Sequence, residues 1–224
     1  MSVYLLSDEL IFPDPELSNE DGLLAVGGDL SVERLLLAYS NGIFPWYSKE
    51  PPILWWSPDP RMVLFPEKMK ISKSLKSIIN KNKFQVKFDV DFEKVIKCCA
   101  DVRRKNEEST WITDDMINAY VNLHLEGFAH SVETYHNGKL VGGLYGVSVG
   151  KAFFGESMFH FMNDASKVAL YLLVERLKSW KFDFIDVQQD TKHLKSLGAE
   201  LIPRKVFLSI LHKSLKHETI RGKW

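Results

Sequence analysis

Asn137–Gly138 lies between two runs of strand-forming residues and constrains this chain's fold more than any other dipeptide. Both positions tolerate the positive φ that a two-residue hairpin turn requires, so Asn-Gly is the strongest short-range hairpin signal. It predicts antiparallel strands over 129–135 and 139–149, joined to a third over 151–160. A helix over 164–180 and a strand over 182–188 follow. Helices are also predicted over 31–41, 72–81, 91–104 and 113–127. Ser31, Asp91, Thr113 and either Asn163 or Asp164 serve as N-caps, and Gly42 ends the first helix. Helices, then a meander, then helix and strand predict an α+β (mixed α/β) fold.

The stretch up to Arg61 reads differently. It is loop-rich and contains the turn Gly27–Gly28–Asp29. An aromatic and proline cluster follows: Ile43–Phe44–Pro45–Trp46–Tyr47, then Pro51–Pro52–Ile53–Leu54–Trp55–Trp56–Ser57–Pro58–Asp59–Pro60–Arg61. Proline at this density excludes regular helix. The aromatics form either a packed mini-core or a stacking platform. Residues 1–61 are therefore read as one loop-rich segment, and the part that follows alternates helix and strand.

At 224 residues, 45% of them hydrophobic and 26% charged, the chain can build a sizeable core. No apolar run is long enough to span a bilayer. Residues 1–8 lack the basic region and long apolar stretch of a signal peptide. Cys98 and Cys99, the only cysteines, are neighbours in a predicted helix and poorly placed to bridge each other, so a reducing, cytoplasmic compartment is expected. The net charge is zero and the pI about 7.1, which argues against a generic, strongly basic nucleic-acid binder. Between Lys68 and Lys87, however, lie seven lysines and no acid. Such a run is either a solvated face or a limited phosphate contact.

Phe184–Ile185–Asp186–Val187–Gln188 reads as a strand ending on two polar residues. Alternation puts Asp186 and Gln188 on one face. An acid and an amide there are awkward for a core and useful for a site, although a cap or an edge salt bridge explains them equally well. Glu156 interrupts the apolar strand Gly155–Glu156–Ser157–Met158–Phe159 and requires a cationic partner or a pocket. Trp111, just before a helix cap, is either core or one half of an aromatic clamp with Trp46 that would suit a nucleobase. Gly142–Gly143 and Gly146 mark bulges or close backbone approach and do not match the dinucleotide fingerprint. No histidine spacing suggests a metal site, and no Gly-x-Ser-x-Gly elbow is present.

Together these segments resemble the leucyl/phenylalanyl-tRNA–protein transferases along nearly the whole chain. The resemblance is carried by Gly22–Leu30, Gly42–Trp46, Leu54–Arg61, Thr110–Thr113, Leu140–Val147, Gly155–Phe159, Ala165–Lys167, Ile185–Gln188, Ser196–Ala199 and Ile202–Arg204, in that order. It implies a small N-terminal domain, residues 1–61, followed by an acetyltransferase-like (GNAT) catalytic domain, residues 62–224. It implies transfer of Leu, Phe or Met from aminoacyl-tRNA to proteins with N-terminal Arg or Lys, marking them for N-degron proteolysis. No cofactor, metal or membrane is implied.

By that resemblance Asp186 and Gln188 are catalytic. Trp46 and Trp111 hold the terminal adenosine, and Glu156 helps place the substrate amine. Leu144, Met158, Leu170 and Leu173 line the side-chain pocket, and Lys73, Lys76, Lys81 and Lys83 contact tRNA phosphates. The chain departs from some relatives in Leu173 and Leu177, where aromatics occur, and in Gln189–Asp190–Thr191. These departures bear on donor preference and acceptor contacts. Proton transfer runs either through the Asp186/Gln188 pair or partly through the terminal ribose hydroxyl. Two rival functions are an acetyl-CoA-dependent acetyltransferase, which needs a pyrophosphate loop that this sequence lacks, and a non-catalytic RNA-binding module, which leaves Asp186, Gln188 and Glu156 unexplained.

Overall fold

A computed structural model of the chain describes residues 3–47, 52–106 and 110–224, the side chains of 103–106 excepted. Met1, Ser2 and Pro51 of the readings above lie outside the described residues. The asparagine–glycine turn forms as expected, with both residues at positive φ, and joins β7 (Ala129–His136) to β8 (Lys139–Val149). β9 (Ala152–His160) continues the meander, and α5 (Ala165–Ser179) leads to β10 (Phe184–Gln188). The chain adopts the expected mixed α/β class.

Upstream, the stretch read as loop-rich holds a four-stranded sheet. It contains β1 (Tyr4–Leu6), β2 (Leu23–Gly27), β3 (Phe44–Pro45) and β4 (Leu54–Trp56), in the order β1-β2-β4-β3. α1 (Val32–Ser40) begins where Ser31 Oγ accepts the Arg34 N–H at 3.3 Å. The aromatic cluster is a packed mini-core on one side: Trp55 is fully buried and donates its indole N–H to the Gly27 carbonyl. Trp46 remains exposed beside it.

The second sheet has seven strands in the order β11-β5-β10-β9-β8-β7-β6. It adds β5 (Arg61–Leu64), β6 (Gln85–Phe88) and β11 (Glu200–Ile202), which the sequence reading left out. β10 and β9 pair in parallel, and every other neighbouring pair is antiparallel. α2 (Lys73–Asn80), α3 (Phe92–Asn106), α4 (Asp114–Leu125), α6 (Lys192–Ser196) and α7 (Arg204–Ser214) complete the fold. Ser72 and Thr113 cap α2 and α4 through their hydroxyls. At α5 the expected side-chain cap does not form. Asp164 occupies the cap position in a left-handed conformation, and its carboxylate is held by Lys167 at 2.9 Å.

Side chains alternate between two cores. Tyr145, Phe154 and Phe184 join α1, α3, α4 and α7 on one face, whereas Leu144, Phe153 and Ile185 join α5 on the other. Gly142 is required where α5 crosses β8, because a Cβ there would lie 2.6 Å from that of Ala165.

The strongest polar contact in the core joins β5 to β10. Arg61 Nε and Nη2 donate to the two carboxylate oxygens of Asp186 at 2.9 and 2.8 Å, with both residues buried. The guanidinium lies 4.7 Å from the ring centres of both Phe44 and Phe207. Planar, delocalised charge is the kind that such a slot tolerates. Arg61→Met should strand the Asp186 carboxylate without its partner and cost about 3–5 kcal/mol, read from the urea unfolding midpoint. Adding Asp186→Leu should recover most of that loss.

Candidate active site

The parallel ladder between β9 and β10 stops early. It runs from Phe184↔Ala152 to Asp186↔Phe154, although β9 continues to His160. Each strand carries an irregularity just past that point. In β9, Tyr145 pairs with Ser157 and Gly146 with Gly155, leaving Glu156 as the extra residue of a bulge. Glycine at 146 permits it: a Cβ there would come within 2.2 Å of the Phe154 carbonyl oxygen. In β10, Asp186 pairs with Val63 and Gln188 with Met62, leaving Val187 unmatched. Bulges bend strands and re-aim side chains.

A cavity of about 360 Å³ is lined by residues on both sides of the part where the strands diverge. It has an apolar side and a polar side. Leu144, Phe153, Met158, Leu170, Leu173 and Ile185 supply the first, on the α5 face of the sheet. Glu156, Ser157, Gln188, Gln189, Thr191 and His193 supply the second, and Phe44, Trp46 and Trp111 add aromatic wall. The structure thus brings together eight of the nine residues expected at the catalytic and substrate site. Trp46 is steadied by Trp56, whose indole N–H donates to the Trp46 carbonyl at 2.6 Å while the two rings meet edge to face.

Asp186 is the ninth and does not line the cavity. Alternation along the strand holds as far as Asp186 and breaks at the bulge. The Asp186 carboxylate is fully buried and doubly bound by Arg61. Its Oδ1 also accepts the backbone N–H of Gln188 at 3.1 Å. Gln188 has φ +61°, in the left-handed region that non-glycine residues adopt only when held there. Asp186 therefore acts on the site by holding the backbone of Gln188.

Gln188 Nε2 donates to Glu156 Oε1 at 3.2 Å. Glu156 accepts two further hydrogen bonds, from Tyr39 (2.8 Å, to Oε1) and Tyr120 (3.1 Å, to Oε2). The two tyrosine hydroxyls also contact each other. The required partner of Glu156 is thus a pocket with neutral donors. Burial pushes its carboxyl up to about 7, helped by the negative charge of Asp186 and opposed by the three hydrogen bonds. Burial, then the Glu156 charge, holds both tyrosines well above the ordinary phenol range.

Sequence reading missed Tyr39, Tyr120 and Arg61. The tyrosines sit in amphipathic helices among apolar neighbours, where an aromatic reads as core. Arg61 did leave a signal, since a buried Asp186 demands a cation. Lys73 and Lys76 on α2, with Lys81 and Lys83 just after it, are all exposed and do not line the cavity. Among the described residues, no group of three or more His, Cys, Asp or Glu could hold a metal ion, and no helix is long and apolar enough to cross a membrane.

The raised Glu156 carboxyl has a stability consequence. Protonation favours the folded state, so this contribution is fully present below about pH 4.5 and is lost as pH rises through about 7. Glu156→Gln removes that loss and keeps the shape. The variant should match the wild type in stability near pH 4.5 and exceed it by up to about 3 kcal/mol above pH 7, in denaturant melts across that range.

Two family models match: the leucyl/phenylalanyl-tRNA protein transferase over residues 63–212 and its N-terminal domain over 28–59. A leucyl/phenylalanyl-tRNA–protein transferase of Desulfatibacillum aliphaticivorans is 55% identical over 100% of this chain and 96% of that protein. One from Thermodesulfovibrio yellowstonii is 57% identical over 100% of this chain and 91% of that protein. Among solved structures, a ribosomal-protein-alanine N-acetyltransferase from Brucella melitensis biovar Abortus 2308 aligns at TM-score 0.38 and 10% identity, over 58% of this chain and 91% of that one, too distant to inform the site. Matches over this length and at this identity place the chain in the leucyl/phenylalanyl-tRNA protein transferase family.

Proposed function

We propose that this chain moves Leu, Phe or Met from aminoacyl-tRNA to the α-amine of proteins with N-terminal Arg or Lys, in the cytoplasm, as a mark for proteolysis. One observation supports this reading above the others. A single cavity has an apolar side, an aromatic wall and the joined pair Glu156–Gln188. These suit, in turn, an uncharged side chain, an adenosine and a reacting amine. The reading divides the chain into residues 1–61, which supply aromatic wall, and a catalytic part, 62–224.

The donor ester is already activated, so the enzyme has to position two substrates and handle one proton. Leu144, Met158, Leu170 and Leu173 receive the donor side chain. An apolar pocket separates such side chains by only about 1–3 kcal/mol per methylene, which fits tolerance of Leu, Phe and Met. Trp46 and Trp111 stack the terminal adenosine. While Glu156 is ionised only the NH₂ of Gln188 can face it, which leaves the Gln188 Oε1 as the acceptor for the amine's N–H. Asp186 holds Gln188 in that pose through the backbone. Among the described residues Glu156 is the one carboxylate that lines the cavity, and it stands beside the place of the reacting amine. The exposed lysines 73, 76, 81 and 83 contact tRNA phosphates.

Purified protein mixed with charged Leu-tRNA and a model protein bearing N-terminal Arg should transfer label to that N-terminus, and RNase pretreatment of the tRNA should abolish it. Labelling that survives RNase would overturn the tRNA donor. Trp111→Ala should weaken puromycin binding by about 1–3 kcal/mol. Replacing Lys76, Lys81 and Lys83 with Ala should flatten the log–log salt dependence of tRNA binding by roughly 0.7–0.9 per lost phosphate contact; an unaltered slope returns these lysines to solvated surface.

A further inference from the structure

Glu156, Tyr39 and Tyr120 form a closed ring with three oxygen–oxygen edges: Oε1 to Tyr39, Tyr39 to Tyr120, and Tyr120 to Oε2. Each edge needs one proton to be a hydrogen bond. Two hydroxyls supply two, and an ionised carboxylate supplies none. With Glu156 charged, one edge must bring two oxygens together with no proton between them. One more proton completes the ring: Glu156 Oε2 donates to Tyr120, Tyr120 to Tyr39, and Tyr39 to Oε1. All three residues are buried.

We infer that this ring, entered at Glu156, is the proton acceptor of the transfer reaction. The inference deepens the function proposed above and rests on it. Asp186 is excluded from the role by position: Arg61 binds both its oxygens and it does not line the cavity. Glu156 lines the cavity and touches Gln188, the group that would hold the amine. The neutral amine attacks the ester carbonyl carbon, a C–N bond forms, and the carbonyl electron pair moves to oxygen. The nitrogen sheds a proton to Glu156 and keeps the N–H electron pair. The carbonyl then re-forms, and the carbon–oxygen bond to the ribose breaks with its electrons going to the ribose oxygen. Glu156 returns the proton to that oxygen. Ester and amine become amide and alcohol, and Glu156 is ionised again.

The carboxyl value of about 7 matches the task, because an acceptor poised near the operating pH is the most effective. Among the described residues, the titratable and charged groups around it are Tyr39 on α1, Tyr120 on α4, Tyr145 on β8 against the Tyr120 ring, Asp186 on β10 with its Arg61 partner, and His193 on α6, which lines the same cavity.

The test is transfer from Leu-tRNA to an Arg-terminated peptide, measured from sub-saturating to saturating peptide across about pH 5.5 to 9. It is paired with infrared difference spectra of the wild type that read the protonated carboxyl C=O stretch, identified by its loss in Glu156→Gln. Glu156→Gln should lose about 10²–10⁴-fold in kcat with little change in peptide KM, and should lose the limb that reports the carboxyl. Tyr39→Phe removes a bond that favours the carboxylate and should move that limb to higher pH, in kinetics and spectra alike. A loss confined to KM would make Glu156 an acceptor-binding residue and overturn the inference. So would a spectrum in which Glu156 stays ionised throughout. If Glu156→Gln does not fold, a limb unmoved in both Tyr39→Phe and Tyr120→Phe overturns it. A wild type that shows the titration but transfers nothing from any charged tRNA overturns the assigned reaction instead.

Discussion

The buried ion pair between Arg61 and Asp186 holds the site together. A buried charge pair depends on good geometry, which the two parallel hydrogen bonds supply, while Arg61 Nη1 has no hydrogen-bond partner among the described residues. Both carboxylate oxygens are bound, and the guanidinium lies against Phe44 and Phe207. Those contacts reach β3 of the small sheet and α7 at the far end of the chain. The pair thus ties β3, β5 and α7 to the strand that ends in Gln188. The one spare acceptance on Asp186 Oδ1 goes to the Gln188 backbone, which fixes a left-handed residue at the cavity wall. Stability and positioning are here one interaction.

The cavity follows from a failure of strand pairing. A parallel pair buried on both faces ordinarily continues its ladder as far as both strands run. Here two bulges on facing strands end it, Glu156 on one side and Val187 on the other. The residues beyond the break turn toward the opening instead of the neighbouring strand. Gly146 is the covalent reason the first bulge can form, because any side chain there would strike the Phe154 carbonyl.

Much of this was legible in the sequence. The Asn-Gly hairpin, the Ser and Thr caps and the helix boundaries are local signals and fell where local chemistry puts them. The losses have physical causes. β1 to β6 and β11 are only two to five residues each, too short to show a period, and prolines around β3 and β4 mask them further. α7 was not predicted, although Phe207, Ile210 and Leu211 carry a helical spacing. Alternation placed Asp186 and Gln188 together and could not foresee the bulge between them, because a register shift depends on the partner strand. The apolar lining of the cavity was legible only through the family resemblance, since nothing local separates it from ordinary core, and the residues alone left its two tryptophans open between core and clamp. Tyr39 and Tyr120 left no signal, because their chemistry exists only once α1 and α4 meet over β9.

That meeting explains why the small N-terminal part belongs to the site. It supplies Trp46 to the wall, Phe44 to both the wall and the Arg61 slot, and Tyr39 to the Glu156 ring. Without Tyr39, Glu156 would face the core with one donor fewer, and burial would favour its neutral form still more strongly. A carboxyl that never ionises cannot take a proton, and one in open solvent would hold it too weakly. The hydroxyl from the N-terminal helix holds Glu156 between those limits. The proposed proton acceptor is therefore complete only when the two sheets are docked.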